Sequence, residues 1–79
     1  MSLSEIIKQR RATLRLTQLD LAEMSEISLA TVKDIERGKG NPSLKTLEKV
    51  VEVLGMELTL CLRGTTTFIG KITESNEKS

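Results

Sequence analysis

LTQLDLAEMSEISLATVKDIERGKGNPSLKTLEKVVEVLG, residues 16–55, is punctuated as a run of short helices. Thr17 stands as N-cap before QLDLAEM, with Asp20 at the third helical position, where a capping box more often carries Glu or Gln; this predicts a helix over about 18–24. Ser28 caps LATVKDIER, in which Val32 and Ile35 lie three apart, and Gly38 follows as a residue suited to the left-handed conformation past a helix end. GKGNPS holds two of the five Gly and the only Pro, so it reads as a loop. Ser43 then caps LKTLEKVVEVLG, where Leu44, Leu47, Val50, Val51 and Leu54 repeat at helical spacing until Gly55.

Upstream, Leu3, Ile6, Ile7 and Leu14 form one apolar stripe over residues 3–14, with Ser2 or Ser4 as N-cap. Downstream of Gly55 the apolar period falls from 3.6 to 2. Met56, Leu58, Leu60 and Leu62 alternate with Glu57, Thr59, Cys61 and Arg63, which predicts a strand over 56–62. A lone strand is marginal in water and needs a partner edge. Two are available: the same strand of a second copy, or TTTFIGKI at 65–72, a candidate second short strand; TESNEKS at 73–79 reads as a polar tail.

Composition narrows the function classes. The 79 residues contain no His and one Cys, so neither a zinc site nor a His-activated nucleophile is expected. No metal, no cofactor and no enzymatic activity are expected, and no disulfide within the chain. No apolar run approaches the roughly 20 residues that span a bilayer, and the N-terminal residues lack an apolar signal core, so a cytoplasmic protein without membrane association is expected. A chain of this size buries only about 60% of its unfolded surface, which leaves a marginal core.

The formal charge of +1 looks poor for a nucleic-acid binder, but it is unevenly distributed. Lys8, Arg10, Arg11 and Arg15 fall within residues 8–15 with no acid; Asp20, Glu23 and Glu26 fall within 16–27 with no base; residues 28–47 are positive again. Such blocks serve either as solvated helix faces or as parts of an electrostatic footprint.

Two short helices joined by a tight turn suggest a helix-turn-helix. Ala22 supplies the small residue at the crossing, and Leu21, Ile27, Val32 and Ile35 the apolar wedge. With Thr17-Gln18, Leu21-Ala22, Ile27-Ser28, Thr31-Val32, Ile35-Glu36-Arg37-Gly38, Asn41-Pro42-Ser43 and Leu47, residues 3–55 resemble the Xre and phage-repressor family of helix-turn-helix regulators. The strand after the fourth helix resembles that of HipB-type antitoxins. The resemblance implies an all-α, four-helix, lambda-repressor-like DNA-binding domain over 1–55, a dimerisation strand over 56–63 and a C-terminal tail over 64–79, with strand 56–62 paired across a dimer through Met56, Leu58, Leu60 and Leu62. Two residues depart from the family pattern: Glu26 stands where Gly is usual in the turn, and Arg15 replaces the common Gly or Asn between the first two helices. Both positions are expected to adopt positive φ.

The resemblance also implies roles. The third helix would enter the major groove, with Ser28, Leu29, Ala30 and Lys33 toward base edges and Thr31 near a phosphate. Leu29 and Ala30 offer only apolar contact, as to a thymine methyl, and Leu29 has a second reading as a satellite of the core. Thr17 and Gln18, at a helix start, would meet a phosphate, as would Arg37, Lys39 and Asn41. Arg11 and Glu36 would form a structural ion pair that fixes the third helix. The expected function is sequence-specific transcriptional regulation, as a repressor homodimer on palindromic double-stranded DNA, in a narrower version as the antitoxin of a kinase-like, HipA-like toxin. The alternative is a helix-turn-helix-derived protein-interaction module without DNA binding.

Overall fold

The computed structural model describes residues 1–59 and 70–72. Four helices are followed by a short hairpin: α1 (Leu3–Thr13), α2 (Gln18–Ser25), α3 (Leu29–Arg37), α4 (Leu44–Val53), β1 (Met56–Leu58) and β2 (Gly70–Ile72). Each helix begins at an anticipated cap. The Ser2 and Thr17 side chains accept from the backbone N–H of Glu5 and Asp20 in reciprocal capping boxes, and Ser28 and Ser43 accept from Thr31 and Thr46. Asp20 therefore performs the task usually given to Glu, because its shorter carboxylate still reaches the Thr17 N–H at 2.9 Å.

The helix ends also follow the sequence. Gly38 closes α3 at φ +71°, and the two non-Gly departures adopt positive φ as expected, Arg15 at 61° and Glu26 at 60°. Glu26 ends α2 in this conformation, with its N–H turned back to the carbonyls of Ala22 and Glu23.

One core joins all four helices: Ile7 from α1, Leu21 and Ala22 from α2, Val32 and Ile35 from α3, Val50 and Val51 from α4, with Leu54 and Met56 beyond. Ala22 is 2% exposed, as a small residue at a helix crossing should be. α1 packs on α3, and α2 on both α3 and α4. The Arg10 Nε donates to the Leu54 carbonyl at 2.8 Å, placing a cation at the C-terminal end of α4.

The strand partner is corrected. β1 pairs antiparallel with β2 of the same chain, Met56 opposite Ile72 and Leu58 opposite Gly70, so this edge is not left for a symmetry mate. Closing a loop costs entropy that grows slowly with its length, whereas association also loses translational and rotational freedom. Met56, expected at a dimer interface, is 8% exposed and belongs to the core, and Leu58 is half-buried against it. Leu60, Cys61, Leu62, Phe68 and Ile69 lie outside the described residues. Among the described residues no helix is long and apolar enough to cross a membrane.

Candidate nucleic-acid interface

Helix α3 turns one side inward and one side out. Val32 and Ile35 are 1% and 5% exposed, and the Glu36 carboxylate lies beneath the helix at 2%. At 100° per residue, Ala30, Asp34 and Arg37 fall within about 60° of one another on the opposite side, with Lys33 at their flank. Ala30, Lys33 and Arg37 are exposed, and the Asp34 side chain is half-exposed.

The helix is held against α1 and α2 by a polar cluster. Arg11 donates to Glu36 through Nε and Nη2, at 2.7 and 3.1 Å, and its Nη1 reaches the Leu16 carbonyl at 2.7 Å. Gln18 adds a third donor to Glu36, Nε2 to Oε1 at 3.1 Å. Hydrogen bonding to Glu36 raises the Arg11 pKa above its ordinary value. The expected ion pair is formed. Gln18, expected at a phosphate, has its amide nitrogen committed to the same cluster, so its side chain positions α3.

The other expected residues divide by exposure. Ser28, Thr17, Lys39 and Asn41 are exposed; Leu29 is half-buried and packs against the core, the second of its two readings. Ser28 Oγ lies 2.8 Å from Thr31 Oγ1 and accepts from the Thr31 N–H, so both hydroxyls belong to the start of α3. A cleft of about 160 Å³ brings Thr31, Lys39 and Asn41 together with Asp34, Gly40 and Pro42. At the start of α2 the Thr17 N–H is occupied by the Asp20 carboxylate, while the N–H groups of Gln18 and Leu19 point outward by helix geometry. Those hydrogen bonds lower the Asp20 pKa, so a negative charge sits beside this helix start.

Asp34 joins the outward face although it is not among the expected site residues. The signal in the sequence is its position opposite Val32 and Ile35 on a helical projection.

A helix-turn-helix family model, HTH_3, matches residues 7–60, spanning all of α2 and α3 and the turn between them. The chain belongs to the helix-turn-helix family. This helix-turn-helix chain is 37% identical over 78 residues to the immunity repressor protein of Bacillus phage phi105, covering 99% of itself and 54% of that protein. It is 34% identical over 64 residues to the HTH-type transcriptional regulator DdrOP3 of Deinococcus deserti, covering 81% and 50%. It therefore spans about half the length of these two relatives. Among solved structures it is similar to a chain of the SinR/SinI protein complex, with TM-score 0.62 and 35% identity over 67% of this chain and 52% of that one. The four-helix fold and its helix-turn-helix are thus shared with proteins of this family.

Proposed function

We propose that this chain is a sequence-specific DNA-binding transcriptional regulator, a repressor acting as a homodimer on a palindromic operator. The observation that carries the reading is the outward face of α3, rigidly backed by the Glu36 cluster and bordered by Lys33, Arg37, Lys39 and Asn41. A helix docked in the major groove would present Ala30 and Lys33 to base edges, and Lys39, Asn41 and the α2 N-terminus to phosphates. The two relatives named as a repressor and a transcriptional regulator support the same reading. A homodimer follows from site size, since one recognition helix contacts too few base pairs to select a site in a genome. With β1 paired in the chain, pairing at that strand edge is not the dimer contact of this reading.

A gel shift on the protein's own promoter region, repeated at 50 and 200 mM salt, tests the proposal. For 6–10 phosphate contacts the affinity falls by about 10³ to 10⁵ across that range. A flat salt response, or no shift at all, overturns it. The narrower antitoxin reading rests on the strand after α4, and it predicts co-purification with the product of an adjacent toxin gene.

A further inference from the structure

The Asp34 side chain lines the cleft beside Gly40, and simple phosphate attraction does not explain an acid there. It stands in the last turn of α3, where the helix dipole disfavours an acid. Its side chain is 50% exposed, and the core makes no use of it. The carbonyl that accepts the Lys39 N–H at 2.8 Å is backbone, so any residue would provide it. The carboxylate has an ion pair with Arg37 at 3.4 Å, and both partners are more than half or half exposed, a geometry that contributes little to stability. Against DNA the same charge repels phosphate. An acid with these three disadvantages is explained by a hydrogen-bond donor that it meets in the complex.

We propose that Asp34 is a specificity-determining residue that accepts a hydrogen bond from the N4 amino group of a cytosine in the major groove. The inference rests on the DNA-binding reading above. Ala30, one turn earlier on the same outward line, has no side chain beyond Cβ, so α3 can approach the base edges closely enough for a short carboxylate to reach them. The exposed donors in that groove are cytosine N4 and adenine N6. Adenine places the N7 acceptor beside N6, where it repels a carboxylate, whereas cytosine has a C–H beside N4. Arg37 holds the carboxylate from one side through Nη2, its Nε donates to the Lys33 carbonyl at 3.3 Å, and Nη1 is left for a neighbouring guanine or a phosphate.

The test is selection from a randomised duplex pool with the purified wild-type chain, D34A and D34N, followed by affinity measurements on the selected duplexes. The wild type enriches cytosine at one position of each half-site, and replacing that base weakens binding by between about 5-fold and about 150-fold. D34A loses the preference at that position alone, keeps the rest of the motif and binds unrelated duplex more tightly. D34N moves the preference toward adenine, because a side-chain amide pairs with N6 and N7 together. Thermal melting of both variants stays within a few degrees of wild type, as expected for a half-exposed site. If D34A retains every base preference, or weakens all sequences equally, the assignment is wrong. If the wild type enriches no motif, the DNA-binding proposal itself fails, and this result is distinct from the first.

Discussion

Arg11 and Glu36 meet side by side, Nε to Oε2 at 2.7 Å and Nη2 to Oε1 at 3.1 Å, and so tie the last turn of α1 to the underside of α3. Gln18 completes the join from α2. The carboxylate is 2% exposed, so its charge is tolerable only while these donors are present. Arg11→Ala is expected to cost about 3 to 5 kcal/mol, which lowers the melting temperature by more than 10 °C, roughly, for a domain of this size. Replacing the pair together, Arg11→Met with Glu36→Leu, removes both charges and should recover much of that loss. Thermal unfolding followed by circular dichroism measures both; an unchanged midpoint for Arg11→Ala would contradict the role given to the pair.

Glu26 holds φ at 60° with a full side chain, in a conformation that costs an L-residue roughly 1 to 2 kcal/mol. Part of that cost returns if Gly is introduced, because Gly also loses more backbone entropy on folding. Glu26→Gly should raise stability by about 0.5 to 1 kcal/mol in urea unfolding. Glu26→Val, β-branched at the same φ, should lower it.

The Ser25 hydroxyl, in a residue 3% exposed, finds no hydrogen-bond partner among the described residues. Leaving a buried hydroxyl unpaired costs about 1 to 3 kcal/mol, and Ala keeps the small volume. Ser25→Ala is therefore expected to stabilise the fold, read as a higher denaturant midpoint with an unchanged slope. A lower midpoint would mean that the hydroxyl has a partner.

The capping boxes give stability an acid limb. Hydrogen bonds from Thr17 hold the Asp20 carboxyl below its ordinary range, and those from Ser2 do the same for Glu5. A carboxyl depressed in the folded state stabilises fully above its unfolded pKa, and the contribution is lost as pH falls through the lower folded value. Stability should therefore decline with decreasing pH below about pH 4, and the Asp20→Asn variant should show a shallower decline. Unfolding free energies at a series of pH values from 2 to 7 would reveal a parallel decline if the capping carboxylate contributes nothing.

Removing single cations should separate phosphate from base contacts. Lys39→Ala is expected to weaken binding to all duplexes about equally and to reduce the salt slope by about 1, since Lys39 is an exposed cation in the loop past the end of α3, not on the helix itself. Loss of preference at a single base position would instead make Lys39 a reader of sequence.

Local chemistry made most of the fold legible. Ser2, Thr17, Ser28 and Ser43 announce the four helix starts because a side-chain oxygen that satisfies a free N–H acts within three residues, and Gly38 announces the end of α3 for the same short-range reason. The unusual turn residues Arg15 and Glu26 were readable too, since the turns around them leave little choice of φ. Of the candidate site, the ion pair and the exposure of Ala30, Lys33, Arg37, Lys39 and Asn41 were recovered.

What tertiary structure decided concerns groups far apart in the chain. The Gln18 side-chain amide meets Glu36 across eighteen residues of chain while its backbone N–H stays at the outward start of α2, and packing turns half of Leu29 toward the core. Met56 moved from a supposed interface into the core once β2 returned to pair with β1. Alternation of apolar residues identifies a strand and its buried face, but not which edge will satisfy it, because backbone hydrogen bonding is indifferent to the sequence and to the chain that supplies it. The sequence by itself therefore determined where helices begin, where they stop and most of each apolar face, with Leu14 and Leu44 standing exposed against the pattern; only the assembled fold decided which polar groups were consumed in holding α3 and which were left to face a partner.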